Sequence, residues 1–375
     1  MVLKKNNLLN QNIHPSKLNQ NLNLKKNIIT QVKKKGIYIF GAHKVGLNLS
    51  IECQKKNIKV LGFFDNDLTK INKKLNNIKI YKPTEKNCSN KIIIVASGRY
   101  SLQIIDQLKN IKCLFLNLHE FQYLFDLSHQ AEQKFRKFIS ALTKNRSKFN
   151  KVYNLLNDKI SKNVFNGLLK IRSELNISYS EDFKSNFNDE YIDPLFIKKR
   201  DLKVFIDVGS YNGDTIDRIE NNLGKINTAY LFEPELSPYI DSIKRFDHRK
   251  KFFSFNFGLS DKIFKINYHG EYSYDLRLDE NKKNNTKSIQ FIPLDFLKIQ
   301  DVTFIKIDVE GAELSVLKGG VETIKKYKPK MAICAYHRAN DFWEIVEFVL
   351  KINSSYKVGI RHYSDILDDT TLYFY

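Results

Sequence analysis

From Ile37 onward the chain alternates short apolar runs with amphipathic stretches. Ile37-Tyr-Ile-Phe40, Val60-Leu-Gly-Phe-Phe64, Ile92-Ile-Ile-Val95 and Cys113-Leu-Phe-Leu116 are β-prone runs bounded by turn residues, and each reads as a strand. Leu47 to Lys55 and Ser101 to Leu108 read as helices between them. This order predicts a small parallel sheet with right-handed crossovers. From about residue 127 the period becomes helical. Phe135, Phe138, Ile139 and Leu142 share one face, and Phe149, Val152, Tyr153 and Leu156 repeat the spacing. The α/β alternation restarts at Val204, with strands at about 204–207, 228–233, 252–257, 303–308, 331–336, 357–362 and 370–375. Alternating residues between Phe264 and Leu294 predict an inserted antiparallel hairpin. The expected organisation is an α/β domain over 1–126, a helical connector over 127–200 and a second α/β domain over 201–375.

Composition narrows the class. At 375 residues, 42% hydrophobic and 13% aromatic, the chain has material for two buried cores. The net charge of +21 comes mostly from lysines spread along the whole length and mixed with asparagines. Nucleic-acid sites concentrate Lys and Arg on one face, so the charge reads as a solvated surface and no nucleic-acid partner is expected. Cys53, Cys88, Cys113 and Cys334 are isolated, with no metal-ligand spacing, as in a reducing compartment. No run reaches the length of a transmembrane segment, and the first residues lack an apolar signal core, so the expected location is cytoplasmic.

Candidate chemistry lies at the strand ends of the second domain. Val204-Phe-Ile-Asp-Val-Gly-Ser-Tyr-Asn-Gly-Asp-Thr215 is an apolar run that stops at an acid and enters a glycine-spaced turn. Its spacing is D-x-G-x-x-x-G, wider and more acidic than the G-x-G-x-x-G of dinucleotide binders. Such a turn suits a ligand with a cationic amino-acid part and no phosphate. Glu233 stands 20 residues beyond Gly213 at the next strand end, where a carboxylate can accept both hydroxyls of a ribose. Phe304-Ile-Lys-Ile-Asp-Val-Glu-Gly-Ala-Glu313 is a third strand that stops at carboxylates. Open α/β sheets bind ligands at this carboxyl edge, near the topological switch point.

FIDVGSYNGDT, LFEP, NFGLSD, KIDVEGAE and the closing YH, D, RHY and LYFY elements, in this order over roughly 165–375, resemble the FkbM-type S-adenosylmethionine-dependent methyltransferases. The resemblance implies a class I methyltransferase sheet of seven strands with the last antiparallel. It also implies S-adenosylmethionine as cofactor and methylation of hydroxyls, often on sugars. Carried over, Asp207, Gly209, Ser210, Gly213, Asp214 and Thr215 would shape the methionine end of the site, and Glu233 with Pro234 would hold the ribose. Asn256 and Gly258 would lie near the adenine, and Asp308, Glu310 and Glu313 form the family's D-V-E-G-x-E element.

A hydroxyl acceptor must lose its proton. Asp308, Glu310, His337 and His362 are candidates at the same sheet edge, with His337 favoured for its ordinary pKa near 6.5. Asp308 and Glu310, with His337, are also candidates to hold a divalent metal such as Mg. Alternate residues of a strand point opposite ways, so both carboxylates share one ion only if the strand has ended by Val309. Lys306 and Arg338 could offset an acidic acceptor's charge. Tyr268, Tyr272, Tyr274 and Arg277 could stack on a saccharide acceptor. Oligomeric state is open, with a homo-oligomer as one candidate.

In the first domain, Gly41-Ala-His-Lys-Val-Gly46 follows a strand and opens a helix, and Asp65 comes 19 residues after Gly46. His43 stands where the dinucleotide fingerprint needs its second glycine. Residues 35–116 resemble the small Rossmann-like nucleotide-binding domains attached to sugar-modifying enzymes, through GAHKVG, GFFDND and IIIVASG. A nucleotide-sugar site or a docking module therefore ranks above an NAD site. Two rival functions follow: a carbohydrate- or nucleotide-binding protein with an inactive cofactor site, and an NAD-dependent sugar dehydrogenase.

Overall fold

The computed structural model describes residues 22–127, 136–174, 176–268 and 287–375. The described residues fall into two compact units, one within residues 1–150, 163–184 and 362–368, the other within residues 151–162, 185–361 and 369–375. Among the described residues, no helix is long and apolar enough to cross a membrane.

The first unit is built on a six-stranded sheet. Its strands are β1 (Ile37–Phe40), β2 (Val60–Phe64), β3 (Lys74–Leu75), β4 (Ile78–Tyr81), β5 (Ile92–Val95) and β6 (Leu114–Asn117), in the spatial order β3-β4-β2-β1-β5-β6. β1 pairs parallel with β2 and β5, β2 with β4, and β5 with β6. Ile39, Phe63 and Ile94 pack with Leu49 and Cys53 of the helix Lys44–Lys55 in one core. Burial on both faces explains why the central strands read as unbroken apolar runs. The sheet is not wholly parallel as predicted, because β3 runs antiparallel to β4 at the edge. Asn76 and Asn77, both left-handed at φ 51° and 61°, turn the chain between these strands. Paired left-handed residues are the geometry of a tight hairpin turn, and asparagine tolerates it better than most side chains.

The amphipathic residues of the expected connector form the helices Phe138–Lys144, Arg146–Leu155 and Lys159–Glu174. Within the first unit the rings of Phe138, Phe149 and Phe165 pack in succession, with centroids 5.8 and 6.3 Å apart. Phe135, called to the same face, lies outside the described residues.

The second unit carries a seven-stranded sheet with β7 (Val204–Val208) and β13 (Phe304–Ile307) at its centre. On one side lie β8 (Thr228–Phe232) and β9 (Phe252–Phe255), and on the other β14 (Lys330–Cys334), β16 (Thr370–Phe374) and β15 (Val358–His362). The order is β15-β16-β14-β13-β7-β8-β9, with β14 and β16 antiparallel. The chain leaves β7 toward β8 and β9, then returns to β13 on the far side of β7, so the switch point falls between β7 and β13. Every residue of β13 is buried, and Phe205 stacks on Phe304 across the strand pair at 5.1 Å. The helix Asp341–Ile352 buries Phe342, Trp343, Ile345, Val346 and Val349 on one face.

The insert begins as expected. β11 (Phe264–Tyr268) and β12 (Lys287–Ile292) pair antiparallel, and β10 (Gly258–Leu259) adds to β12 in a separate three-stranded sheet. Tyr272, Tyr274 and Arg277, and the side chain of Tyr268, lie outside the described residues.

Candidate active site

The loop after β7 is held by its neighbours. The N–H groups of Gly209 and Ser210 both donate to the Phe232 carbonyl at the end of β8, at 3.0 and 3.1 Å. Gly209 has φ +74°, and a Cβ there would stand 1.8 Å from the Asp308 carbonyl oxygen. Only glycine lets the turn pass this close to the end of β13. Gly213, at φ +82°, opens the helix Asp214–Asn222, and a Cβ on it would strike the Phe246 ring at 2.3 Å. Asp214 is exposed in the first helical turn, where an acid complements the helix dipole, and Thr215 is buried. The buried Ser210 hydroxyl has no hydrogen-bond partner among the described residues.

Asp207 faces Lys306 across the strand pair, both almost wholly buried, with Nζ 3.1 Å from Asp207 Oδ1. Lys306 also donates to the Gly209 carbonyl at 2.6 Å. Burial raises the Asp207 carboxyl to about 6 even though Lys306 pulls the other way. For Lys306 burial is outweighed by Asp207 and Asp308, which hold the amine protonated above its ordinary range. The pair therefore braces the switch point from inside, and Lys306 is not at the surface to meet an acceptor.

Glu233 is 8% exposed at the end of β8, and burial raises its carboxyl to about 7. Its two oxygens accept the N–H groups of Tyr211 at 2.9 Å and Glu235 at 2.8 Å, which leaves each oxygen further acceptor capacity. Exposed Asn256 donates its amide to the Glu233 and Pro234 carbonyls, both at 3.0 Å, and so holds the shape of this strand end. Gly258 is buried in β10, where a Cβ would meet the Phe291 ring at 2.4 Å.

β13 ends at Ile307, which meets the condition for Asp308 and Glu310 to face one point. Glu310 at φ +53° and Gly311 at φ +98° turn the chain back. Buried Glu313 fastens the turn: its Oε1 accepts the N–H groups of Val309 and Gly311, each at 3.2 Å. The same oxygen lies 2.9 Å from His337 Nδ1. His337 Nε2 lies 3.7 Å from Asp308 Oδ1 and 3.4 Å from Glu310 Oε2. Asp308 is half-buried, and the Tyr191 hydroxyl donates to its Oδ2 at 3.0 Å. Donor atoms of Asp308, Glu313 and His337 all lie within 4.8 Å of one another, a spacing compatible with one metal ion.

The reading of His337 as a base with an ordinary pKa needs correction. Burial disfavours its charge, but Glu313, Asp308 and Glu310 outweigh burial and raise it to about 9, so the ring holds a proton at neutral pH. Asp308 moves the other way. Burial pushes its carboxyl up, yet Lys306, His337 and Tyr191 bring it below the usual range. His362 is fully buried within the first unit, its ring 5.5 Å from that of Phe183, and does not offer itself to a substrate. Tyr191 and Tyr336 were not named as candidate site residues; Tyr336 belongs to the YH element of the resemblance, and Tyr191 is marked by its contact in the fold with Asp308.

In the first unit the expected nucleotide positions are engaged internally. Asp65 accepts the N–H groups of Ala42 at 2.8 Å and Asp67 at 2.9 Å, and pairs with Lys70 at 3.2 Å. His43 caps the helix that follows by accepting the Val45 N–H at 3.3 Å.

A sheet of this order, with one antiparallel strand beside β14 and carboxylates at the ends of β8 and β13 flanking the switch point, defines a methyltransferase-type α/β domain. Residues 207–357 match the Methyltransferase FkbM domain family, so the C-terminal part of the chain carries an FkbM methyltransferase domain. Residues 33–114 match the family described as C2185-like, N-terminal. The methyltransferase FkbM of Methylobacillus flagellatus KT superposes with a TM-score of 0.70 at 20% identity, over 94% of this chain and 93% of that one. Aeropyrum pernix fibrillarin, solved with natively bound S-adenosyl-L-methionine, superposes at a TM-score of 0.32 and 11% identity, over 46% of this chain and 68% of that one. No curated protein matches the chain.

Proposed function

We propose that the chain transfers a methyl group from S-adenosylmethionine to a hydroxyl oxygen of a saccharide or nucleotide-linked sugar. One observation carries the reading: Glu233, the unpartnered Ser210 hydroxyl and Asp308 all lie at the carboxyl ends of adjacent strands around one switch point. The residues fit the cofactor. Glu233 keeps acceptor capacity for ribose hydroxyls, and the buried Ser210 hydroxyl of the loop 209–213 keeps its hydrogen-bonding capacity unspent among the described residues. When bound, S-adenosylmethionine supplies a methyl carbon made electrophilic by its sulfonium.

The chain's own residues then align the partners and deal with the acceptor's proton. Asp308, ionised at neutral pH, is the group placed to receive that proton, and the Tyr191 hydroxyl fixes its orientation. The His337 imidazolium, held by Glu313, balances the negative charge that gathers beside Asp308. The saccharide acceptor rests on the family resemblance, and the cytoplasmic location on four cysteines with no disulfide.

Titration calorimetry with S-adenosylmethionine and S-adenosylhomocysteine tests the reading. Both are expected to bind, and Glu233→Ala to weaken both by about tenfold or more, in line with one lost charged hydrogen-bonding group. A folded chain that binds neither compound would overturn the transferase reading in favour of its rival, a saccharide- or nucleotide-binding protein with an inactive site.

A further inference from the structure

We propose that the amino edge of the six-stranded sheet in the first unit is a docking surface for an anionic lipid membrane. Lysines scattered along the chain are gathered there by the topology. The turns that enter β1, β2, β5 and β6 comprise residues 33–36, 55–59, 89–91 and 109–113, and they hold nine lysines and no Asp or Glu. These strands are neighbours in the order β2-β1-β5-β6 and all run parallel, so the four turns open on one edge. Backbone contacts tie the turns in pairs: the Ile37 N–H donates to the Lys59 carbonyl at 2.9 Å, and the Asn90 N–H to the Lys112 carbonyl at 2.7 Å. With strands about 4.8 Å apart, the row is roughly 15 Å wide.

The charge of this row is largely uncompensated. Eight of the nine lysines are exposed, and the ninth, Lys91, is half-buried with its ammonium 5.2 Å from the Tyr38 ring centre. Lys109 pairs with Asp106 at 2.6 Å. Among the described residues, Lys33, Lys34, Lys35, Lys56, Lys59 and Lys112 have no acidic partner within salt-bridge reach. Other parts of the molecule are built differently. At the carboxyl edge of the same sheet, Asp65 and Asp67 take up Lys70 at 3.2 and 3.8 Å. In the second unit, Glu220 holds Lys225 and Arg249 at 2.6 and 2.9 Å, and Asp201 holds Lys330 at 3.1 Å. The helix dipole favours lysine in a last helical turn, which accounts for Lys33, Lys34, Lys35, Lys55 and Lys109. It does not account for Lys59, Lys91 and Lys112, which stand just before strands.

The chemistry of the row selects the partner. The four turns contain no arginine and no aromatic residue. Nucleic-acid surfaces use arginine forks on base edges and aromatic faces on which bases stack. Lysine is a hydrated point charge on a flexible stem, which suits many phosphate headgroups spread over a plane and fixes no single ligand. Lysine clusters of this size are drawn to anionic lipid, with about a fivefold gain in affinity for each lysine near the surface. The surface lies in the first unit, and its existence does not depend on the transferase reading.

The test sediments the full chain with phosphatidylcholine vesicles that contain about 30% phosphatidylglycerol, and with vesicles of phosphatidylcholine alone. Binding to the first and not to the second is expected, with a fall of about tenfold or more between roughly 0.1 and 0.5 M NaCl as salt screens the charges. Lys34→Gln, Lys56→Gln and Lys112→Gln combined should weaken binding roughly 100-fold. Lys262→Gln, Lys265→Gln and Lys318→Gln combined, at exposed lysines of the second unit, remove the same charge and should change binding less than about threefold. Thermal melts check that both variants fold, and the salt series on wild type reads the same attraction without any substitution. No binding of anionic vesicles by wild type, or equal loss in the two triple variants, overturns the docking surface. Tight binding of an RNA oligonucleotide by a chain that leaves the vesicles unbound overturns it too.

Discussion

Single residues here do work that their neighbours in sequence do not announce. Glu220 is one. Its carboxylate takes Arg249 through both terminal nitrogens at 3.2 and 2.9 Å, Lys225 at 2.6 Å and the Ile226 N–H at 3.1 Å. Burial alone would raise its pKa, but these partners outweigh it and lower the group to about 2. A carboxyl depressed on folding stabilises the native state above its unfolded value near 4.5, and that contribution is lost as pH falls from there through about 2. Wild type should therefore be more stable than Glu220→Gln above pH 4.5, with the gap closing below it, as urea titrations at a series of pH values would show. His337 carries the opposite lesson. Its type made it a candidate base, and only the three carboxylates gathered by the fold reveal that it is already protonated.

Elements set where those residues stand. The helix Leu118–Phe125 begins with a reciprocal cap, in which Asn117 Oδ1 accepts the Glu120 N–H and Glu120 accepts the Asn117 N–H, both at 2.9 Å. Asn117 is also the last residue of β6, so the cap locks a strand-to-helix turn. Asn117→Ala should lower stability by about 1 kcal/mol, read as a drop in the denaturation midpoint. The strand runs were legible because β1, β5, β7 and β13 are buried on both faces and are apolar but for the mutually paired Asp207 and Lys306. The β3–β4 hairpin was not. Two short, half-polar strands leave no such run, and their clearest mark is the Asn76-Asn77 turn. The turn that follows β13 was equally hidden, because the left-handed Glu310 depends on the Glu313 carboxylate folding back onto the loop.

At the scale of the molecule, a ligand that binds only the native state must raise its melting temperature. S-adenosylhomocysteine at 100 times its dissociation constant should add about 2.7 kcal/mol, a rise of roughly 5–10 °C for a unit of this size. NAD at millimolar concentration should give no comparable rise, since Asp65 already accepts two backbone N–H groups and a lysine, and His43 is spent on a helix cap. A scan in which NAD stabilises and S-adenosylhomocysteine does not would reverse the ranking of the two sheets. The order of apolar runs along the chain was enough, by itself, to determine the α/β class, the two sheets and the carboxylates that close β7, β8 and β13, because burial periodicity and strand-end chemistry are local properties. Which of those carboxylates is spent on Lys306, which is oriented by Tyr191 and which gathers around His337 was decided only by tertiary structure. Electrostatic partners are chosen by distance in space, and Asp308 lies 117 residues from the tyrosine that holds it.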